Sequence, residues 1–212
     1  VKVCVIDTGI QSDHPDLKAN YADGVSYVSG VAGGVDDNGH GTHCAGTVGG
    51  VGNNAAGVAG VSWKVSLYGC KFLSSSGSGS TSAAAQCIDW CTSKGVDVMS
   101  NSWGGGGYSS ALYDAIKRAE AAGILFTAAA GNSGGTTIQN IDNTPSYPAS
   151  YAVSNVIPVA STTSADQLSS FSSFGPQSVL IAAPGSSIVS TYKSSTYATL
   201  SGTSMATPAV SG

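Results

Sequence analysis

Short, nearly continuous apolar runs recur along the chain. They cover residues 1–6, 65–73, 96–99, 124–130, 156–160 and 179–183. Runs of this length are typical of strands that are buried on both faces. Helical patterns lie between them over residues 82–94 and 109–122, and Gly123 follows the second pattern where a helix cap is expected. This alternation predicts an α/β fold in which helices flank a mostly parallel central sheet.

The length of the chain fits a single domain over residues 1–212. A domain of 212 residues buries about 70% of the surface that its unfolded chain exposes, which is enough for one sizeable core. The sequence shows no internal repeat, and the Ser- and Gly-rich stretch over residues 74–82 is too short for a linker between domains. We expect that stretch to form a surface loop or an edge segment.

Composition and charge exclude two classes of partner. Only 9% of the residues are charged, the formal net charge is -4, and no cluster of Lys and Arg is present. Nucleic acids and anionic membrane surfaces need such a cluster. No apolar run approaches the roughly 20 residues that a membrane-spanning helix needs. We therefore expect neither nucleic acid nor a membrane as a partner.

The chain contains five cysteines, an odd number, at positions 4, 44, 70, 87 and 91. Cys87 and Cys91 stand four residues apart on one predicted helix face, where a disulfide between them would be strained. A metal site there would need two further ligands, and the sequence offers none nearby. We expect the cysteines to serve as small buried apolar side chains.

Ser204 stands at the expected start of a helix, within residues 202–208. Asp7 follows a strand-like run, and His40 lies in the sequence Asn-Gly-His-Gly-Thr-His. In the Ser-His-Asp mechanism the serine attacks a carbonyl carbon, the histidine takes the serine proton and the aspartate orients the imidazole. Taken singly, a helix cap, a surface histidine and a turn aspartate are commoner explanations. Together and in this order, the three residues predict catalysis.

Asn132 lies in a fourth segment, over residues 128–134, where an apolar run ends in a glycine turn. Its side-chain amide, together with the Ser204 backbone N–H, is expected to donate to the oxyanion that forms during acyl transfer. The alternative for Asn132 is a simple Asn-Ser-Gly turn.

These four segments resemble the signature blocks of the subtilisin-like serine proteases, the subtilases, in the order of that family and over nearly the whole chain. The surroundings of Cys44, residues 53–54 and residues 200–202 look most like the thermitase and proteinase K members. The resemblance implies a subtilisin-like three-layer fold and a secreted serine endopeptidase. It also implies an inhibitory pro-segment in the precursor, a monomer, and a partial catalytic domain that is truncated at both ends.

The resemblance further implies where a peptide substrate binds. One extended edge is formed by Ser102, Trp103, Gly104 and Gly105, and the opposite edge by Gly77, Ser78 and Gly79. Pairing with exposed edges uses main-chain hydrogen bonds and suits an enzyme of broad specificity. The specificity pocket lies between the first edge and the segment from Ala129 to Gly131, with Ser133 and Ser146 at its mouth and base. None of these residues is charged, so we expect an apolar or aromatic residue on the acyl side of the cleaved bond.

Asp16, with Asn53 or Asn54, resembles the stronger calcium site of the family. Calcium takes about 6 to 8 oxygen ligands, and loop carbonyls could supply the remainder. The alternative is a solvated turn. No cofactor is expected to take part in the chemistry itself.

Three alternatives to a subtilase enzyme can be compared with the sequence. The chain could be a catalytically inactive fragment that binds peptides with the same fold. An acid-active sedolisin would carry Glu and Asp in place of His40 and Asn132, and neither is present. An α/β-hydrolase esterase would need a Gly-x-Ser-x-Gly turn and the chain order Ser, Asp, His, which the sequence lacks.

His43, which lies three residues after His40, is expected to be structural because no metal-site glutamate accompanies it.

Overall fold

A computed structural model of the chain describes residues 1–133 and 138–212. Its strands are β1 (Lys2–Asp7), β2 (Tyr21–Ser26), β3 (Ser66–Lys71), β4 (Val98–Asn101), β5 (Leu125–Ala129), β6 (Val156–Thr162), β7 (Ile181–Pro184), β8 (Ile188–Tyr192) and β9 (Thr196–Leu200). Its helices are α1 (His40–Gly49), α2 (Thr81–Ser93), α3 (Ser110–Ala121) and α4 (Thr203–Ser211).

The strands form a seven-stranded parallel sheet in the order β2-β3-β1-β4-β5-β6-β7. Strands β8 and β9 pair separately as an antiparallel hairpin. The parallel α/β fold predicted from the apolar runs is confirmed, and α2 and α3 begin and end within one residue of the predicted helices. Strand β2 and the hairpin were not predicted, because polar residues interrupt their apolar positions.

Apolar side chains cover both faces of the sheet, and β1 shows why its sequence is continuously apolar. Cys4 and Ile6 pack into a core cluster with α2 and α3. Val3 and Val5 point the other way and pack into a second cluster with α1. The sheet therefore lies between two helix layers. Within the part of the chain that the structure describes, no helix has the length and apolar character needed to cross a bilayer.

Four of the five cysteines form disulfides, which corrects the expectation that they act only as small apolar side chains. Cys4 pairs with Cys91, and Cys70 pairs with Cys87, with Cα–Cα distances of 6.1 and 5.6 Å. The face of α2 that carries Cys87 and Cys91 packs on β1 and β3, so each helix cysteine bonds to a strand cysteine and not to its helix neighbour. Cys44 is the free cysteine among the described residues.

The chain changes direction across the sheet at β1. It forms β3 on one side of β1 and then crosses to β4 on the other side. In parallel sheets, ligands bind at the carboxyl ends of strands beside such a switch point. Asp7 is the last residue of β1, so it lies at this place.

Candidate active site

Asp7 and His40 form a hydrogen-bonded pair at the carboxyl edge of the sheet. The Nδ1 atom of His40 lies 2.8 Å from Oδ1 of Asp7 and 3.0 Å from Oδ2. Asp7 is fully buried, and the Thr8 N–H donates to its Oδ1 at 2.7 Å. With Nδ1 occupied by the carboxylate, Nε2 is the ring nitrogen left to exchange a proton with a substrate or a nucleophile.

The pKa of His40 reflects opposing causes. Burial, the largest single cause, lowers it by disfavouring the imidazolium. The charge and hydrogen bond of Asp7, with a smaller effect of Cys44, together outweigh burial, and the pKa is raised well above 6.5. The Cys44 thiol lies against the same ring, with Sγ 3.9 Å from Nδ1. Burial raises the pKa of that thiol, so it is neutral at neutral pH and packs beneath the imidazole without adding charge.

Asp36 joins the end of β1 to the start of α1. Its Oδ1 accepts from the Thr8 hydroxyl and from the Gly39 N–H, both at 2.8 Å, and its Oδ2 accepts from the Thr42 N–H at 2.9 Å. Gly41 lets the two segments touch, because a Cβ there would lie 2.2 Å from the carbonyl oxygen of Gly9. This close packing fixes His40 relative to Asp7.

Ser204 is the second residue of α4 and lines the same cleft as His40. Its hydroxyl donates to the Ser102 carbonyl at 3.0 Å, and the Ser102 hydroxyl donates to the Ser204 carbonyl at 2.8 Å. The structure therefore pairs Asp7 with His40 but directs Ser204 Oγ to Ser102. Catalytic hydrogen bonds are often long or poorly aligned before a substrate binds, and rotation about one side-chain bond redirects this hydroxyl.

Asn132 and the start of α4 enclose a small space at the cleft. The Asn132 carbonyl oxygen accepts from the Thr203 N–H at 2.9 Å and from the Thr203 hydroxyl at 3.0 Å, which orients the amide. A Cβ built at Gly202 would lie 3.3 Å from Asn132 Nδ2 and 3.6 Å from the Ser204 nitrogen. Two N–H donors therefore border one space that contains no side chain.

The cleft has a volume of about 900 Å³. Its lining includes every substrate-contacting residue predicted from the sequence: Gly77, Ser78, Gly79, Ser102, Trp103, Gly104, Gly105, Ala129 and Gly131. Ser146, predicted at the pocket base, also lines it. Ser133 is not among the lining residues, and its hydroxyl donates to the Phe171 carbonyl at 3.4 Å. Gly134, the last residue of the Asn132 segment, lies outside the described residues.

Two apolar residues that line the cleft are not identified from the sequence. Phe72 and Leu73 end the apolar run over residues 65–73, which predicts a strand, but β3 ends at Lys71 and both residues line the cleft. In the structure, the Phe72 ring packs on the Trp103 ring with centroids 4.8 Å apart. The small residues Thr81 and Ala84 line the same cleft. His40 is the one charged or titratable side chain among the described residues that line the cleft.

His43 is structural, as expected from the sequence. Its ring is buried, and Nε2 lies 3.1 Å from the carbonyl oxygens of both Ile188 and Ala198. Burial lowers the pKa of His43, so the ring is neutral and donates one proton between the two carbonyls. This contact fastens the β8–β9 hairpin to α1.

Asp16 and Asn54 are hydrogen-bonded to each other, but the amide of Asn54 presents its nitrogen where calcium requires an oxygen. The Asp16 carboxylate accepts from the Asn54 amide nitrogen at 2.7 Å, and from the Val58 N–H and the Tyr197 hydroxyl at 2.9 Å each. The Asn54 oxygen is occupied by the Ala56 N–H at 3.1 Å. In this arrangement the residues do not fit the ion, since Asn54 presents a donor where calcium takes oxygen. The assignment of calcium to Asp16, Asn53 and Asn54 stays a prediction. It requires the Asn54 side-chain amide to rotate so that its oxygen faces the ion.

Comparison with known proteins identifies the family. The model of the subtilase family matches residues 1–212. Subtilisin DY of Bacillus licheniformis is 50% identical over 212 residues, which cover 100% of this chain and 74% of the relative. Thermitase of Thermoactinomyces vulgaris is 46% identical over 211 residues, which cover 100% of this chain and 72% of the relative.

The fold comparison agrees. The crystal structure of a cold-adapted subtilisin-like serine proteinase matches with a TM-score of 0.86 and 40% identity, covering 100% of this chain and 72% of that one. The family match spans residues 1–212, and the structural match covers the whole chain. The chain therefore belongs to the subtilase family and is a subtilisin-like serine endopeptidase.

Proposed function

We propose that Asp7, His40 and Ser204 form the catalytic triad and that Asn132 and the Ser204 N–H bind the oxyanion. The observation that carries this proposal is the Asp7–His40 pair, joined at 2.8 Å, whose imidazole lines the same cleft as Ser204. The geometry around Gly202 supports the assignment of the oxyanion donors, because both N–H groups border the same space.

In the proposed reaction, Ser204 Oγ bonds to the carbonyl carbon while its proton passes to His40 Nε2. The carbonyl oxygen becomes an oxyanion, and Asp7 stabilises the imidazolium. The imidazolium gives its proton to the amine as the C–N bond breaks, which leaves an acyl-enzyme ester. Water then adds to the ester and loses a proton to His40. When the second intermediate collapses, that proton returns to Ser204 Oγ and the acid is released.

Substrate binding itself would free the Ser204 hydroxyl. The Ser102 carbonyl, which accepts from Ser204 Oγ, belongs to the edge expected to pair with the substrate main chain. A substrate N–H that donates to this carbonyl competes with the hydroxyl. The displaced hydroxyl is then free to turn towards His40, so a peptide on the edge favours activation of the nucleophile.

The proposed specificity is for an apolar or aromatic residue on the acyl side of the cleaved bond. The pocket between the Ser102 edge and Gly131 is bordered by small uncharged residues, including Ser146. A Lys or Arg side chain in such a pocket would lack a partner for its charge. Digestion of casein followed by mass spectrometry of the fragments tests this, and dominant cleavage after Lys or Arg would refute it.

An extracellular protein or peptide is the proposed substrate. Two disulfides agree with a protein that acts in an oxidising environment, since disulfides are rare in reducing compartments. The inhibitory pro-segment and the monomeric state stay predictions from the resemblance.

A fluorophosphonate probe tests the proposed nucleophile. We expect one covalent adduct per molecule, located on Ser204 by peptide mapping, and no adduct in Ser204→Ala. Ser102→Ala is a matched control, because Ser102 lies in the same cleft and exchanges hydrogen bonds with Ser204 but is not the nucleophile. Folded protein that binds peptides and takes up no probe would show the inactive-fragment alternative to be correct.

A further inference from the structure

Lys71 is the largest fully buried side chain described in the structure, and the proposed mechanism does not use it. Its Nζ donates to the carbonyls of Thr8 and Leu73 at 2.7 Å each and to Oδ1 of Asp37 at 2.6 Å. All three ammonium protons thus have acceptors. Asp37 is partly exposed, with 39% of its side-chain surface accessible.

The Lys71–Asp37 ion pair connects the segments that carry Asp7 and His40. Lys71 is the register partner of Asp7 across the β1–β3 pairing, and Thr8, which accepts from it, follows Asp7 directly. Asp37 lies three residues before His40 in the loop that leads into α1. The ammonium is therefore anchored to the residue that follows Asp7, and the carboxylate that it contacts lies in the loop that leads to His40.

Burying the Lys71 ammonium carries a large desolvation penalty, which a contact that only holds two segments together does not require. Removing a charge from water costs several kcal/mol, and well-packed apolar side chains of similar volume often stabilise a protein as well as a buried ion pair does. A charge in this position has an effect that an apolar side chain lacks. It changes the electrostatic potential at the Asp7–His40 pair, where water screens charges weakly.

We propose that Lys71 and Asp37 are positioning residues whose opposite charges tune the proton affinity of His40. The ammonium disfavours the imidazolium and keeps part of the histidine neutral, as a general base must be. The Asp37 carboxylate favours the imidazolium and limits that effect. This inference rests on the catalytic role of His40 proposed above.

Other charged or titratable groups also face this region. The Asp7 carboxylate and the Cys44 thiol contact the His40 ring, and His43 lies one turn further along α1. Asp36 accepts hydrogen bonds from Thr8 and α1, and Lys193 donates to the Asp37 carbonyl at 3.0 Å. These groups stay the same in every variant below, so differences between variants report on Lys71 and Asp37 alone.

The test compares Lys71→Met, Asp37→Asn and the double variant by the pH dependence of kcat/KM on an uncharged peptide substrate. Active-site titration corrects each value for the amount of folded enzyme. We expect the midpoint of the rising limb to move up by about 0.5 to 1 pH unit in Lys71→Met. It should move down by a similar amount in Asp37→Asn and return close to the parent value in the double variant.

Two controls separate tuning from loss of structure. Lys71→Arg keeps the charge, so its midpoint should stay near the parent value even where its melting temperature falls. The surface pair Lys94–Asp23, at 2.8 Å, offers Lys94→Met and Asp23→Asn, which should leave the midpoint unchanged. Melting temperatures of all variants are measured in parallel.

Shifts of the same sign in Lys71→Met and Asp37→Asn, or unchanged midpoints with only a loss of stability, would overturn the inference. If Lys71→Met does not fold, the downward shift in the partly exposed Asp37→Asn decides the matter by itself. Unchanged midpoints in a protein that a fluorophosphonate labels at Ser204 would refute only the tuning role. Failure of that labelling would refute the proposed triad as well.

Discussion

Gly202 precedes α4 with φ 163° and ψ 162°, an extended conformation that any residue adopts. Its backbone therefore does not require glycine. The space beside its Cα is what matters, because a Cβ there would make a tight contact of 3.3 Å with Asn132 Nδ2 and an ordinary contact of 3.6 Å with the Ser204 nitrogen. A methyl group at position 202 would occupy the volume that the proposed oxyanion needs.

Gly202→Ala is therefore expected to reduce turnover much more than stability. We predict a loss of kcat on the order of the 100-fold effect of removing one oxyanion donor, a figure that itself comes from subtilisin. The melting temperature should change little. Gly107→Ala is the matched control, since a Cβ at Gly107 meets no atom within 4 Å, and it should keep full activity. An active Gly202→Ala enzyme would place the oxyanion elsewhere.

Asn132→Ala removes the proposed side-chain donor. We expect kcat to fall by about 100- to 1000-fold with little change in KM, again on the scale known from subtilisin. Asn155→Ala serves as a comparison, because Asn155 is a buried amide that donates to the Ile124 carbonyl at 2.9 Å. That variant should lose about 1–3 kcal/mol of stability and keep its kcat. Equal effects of the two variants on kcat would contradict the assignment.

At the scale of secondary structure, the elements that carry the site are fastened by contacts between distant segments. The β8–β9 hairpin holds α1, because His43 donates to Ile188 and Ala198. The Ser190 hydroxyl also donates to the His43 carbonyl at 2.8 Å. Helix α2, which contributes Thr81 to the cleft, is bonded covalently to β1 and β3. The hairpin therefore holds α1, which carries His40, in place, and the disulfides hold α2 in place at the cleft.

The disulfides are expected to contribute strongly to stability. Loop-closure entropy predicts about 3 kcal/mol for a loop near the 17-residue separation of Cys70 and Cys87. It predicts more, between about 4 and 5 kcal/mol, for the 87-residue separation of Cys4 and Cys91. Urea unfolding of the paired Cys→Ala variants measures both values. The measurement is made in a Ser204→Ala background, which prevents self-digestion.

Alkylation of the denatured, unreduced protein checks the pairing directly. Iodoacetamide should modify one thiol, that of Cys44, and mass spectrometry counts the adducts. Five adducts would show that the bridges do not form.

For the whole molecule, the raised pKa of His40 links activity and stability to pH in opposite directions. The folded pKa lies well above 6.5 because of the Asp7 carboxylate, so the pairing stabilises the fold fully below about pH 6.5. That contribution is lost as the pH rises through the folded pKa. A general base must be neutral, so activity grows over the same interval.

We therefore predict that kcat/KM rises with pH and that the midpoint lies above 6.5. The measurement uses an uncharged peptide substrate, with stability followed by urea unfolding of Ser204→Ala at each pH. Activity that is greatest below pH 6.5 would contradict the role of His40 and favour acid-active chemistry.

Local sequence was sufficient for much of the architecture. The apolar runs predicted six strands of the sheet, because a strand covered on both faces needs apolar residues at every position. Motif order predicted that Asp7, His40 and Ser204 would meet, since strand ends and helix starts gather at one edge of a parallel sheet. The smaller β2 strand and the hairpin carry no such pattern and were missed.

What the sequence by itself determined was thus the α/β class, the positions of most elements and the residues of the candidate site. Only the tertiary structure decided which cysteines bond, that Lys71 is buried against Asp37, that Phe72 enters the cleft and that Ser204 Oγ faces Ser102. The physical reason is the separation along the chain of the residues that interact. Apolar periodicity and turn chemistry act between near neighbours in the chain, whereas these four features depend on how segments far apart in sequence pack against one another.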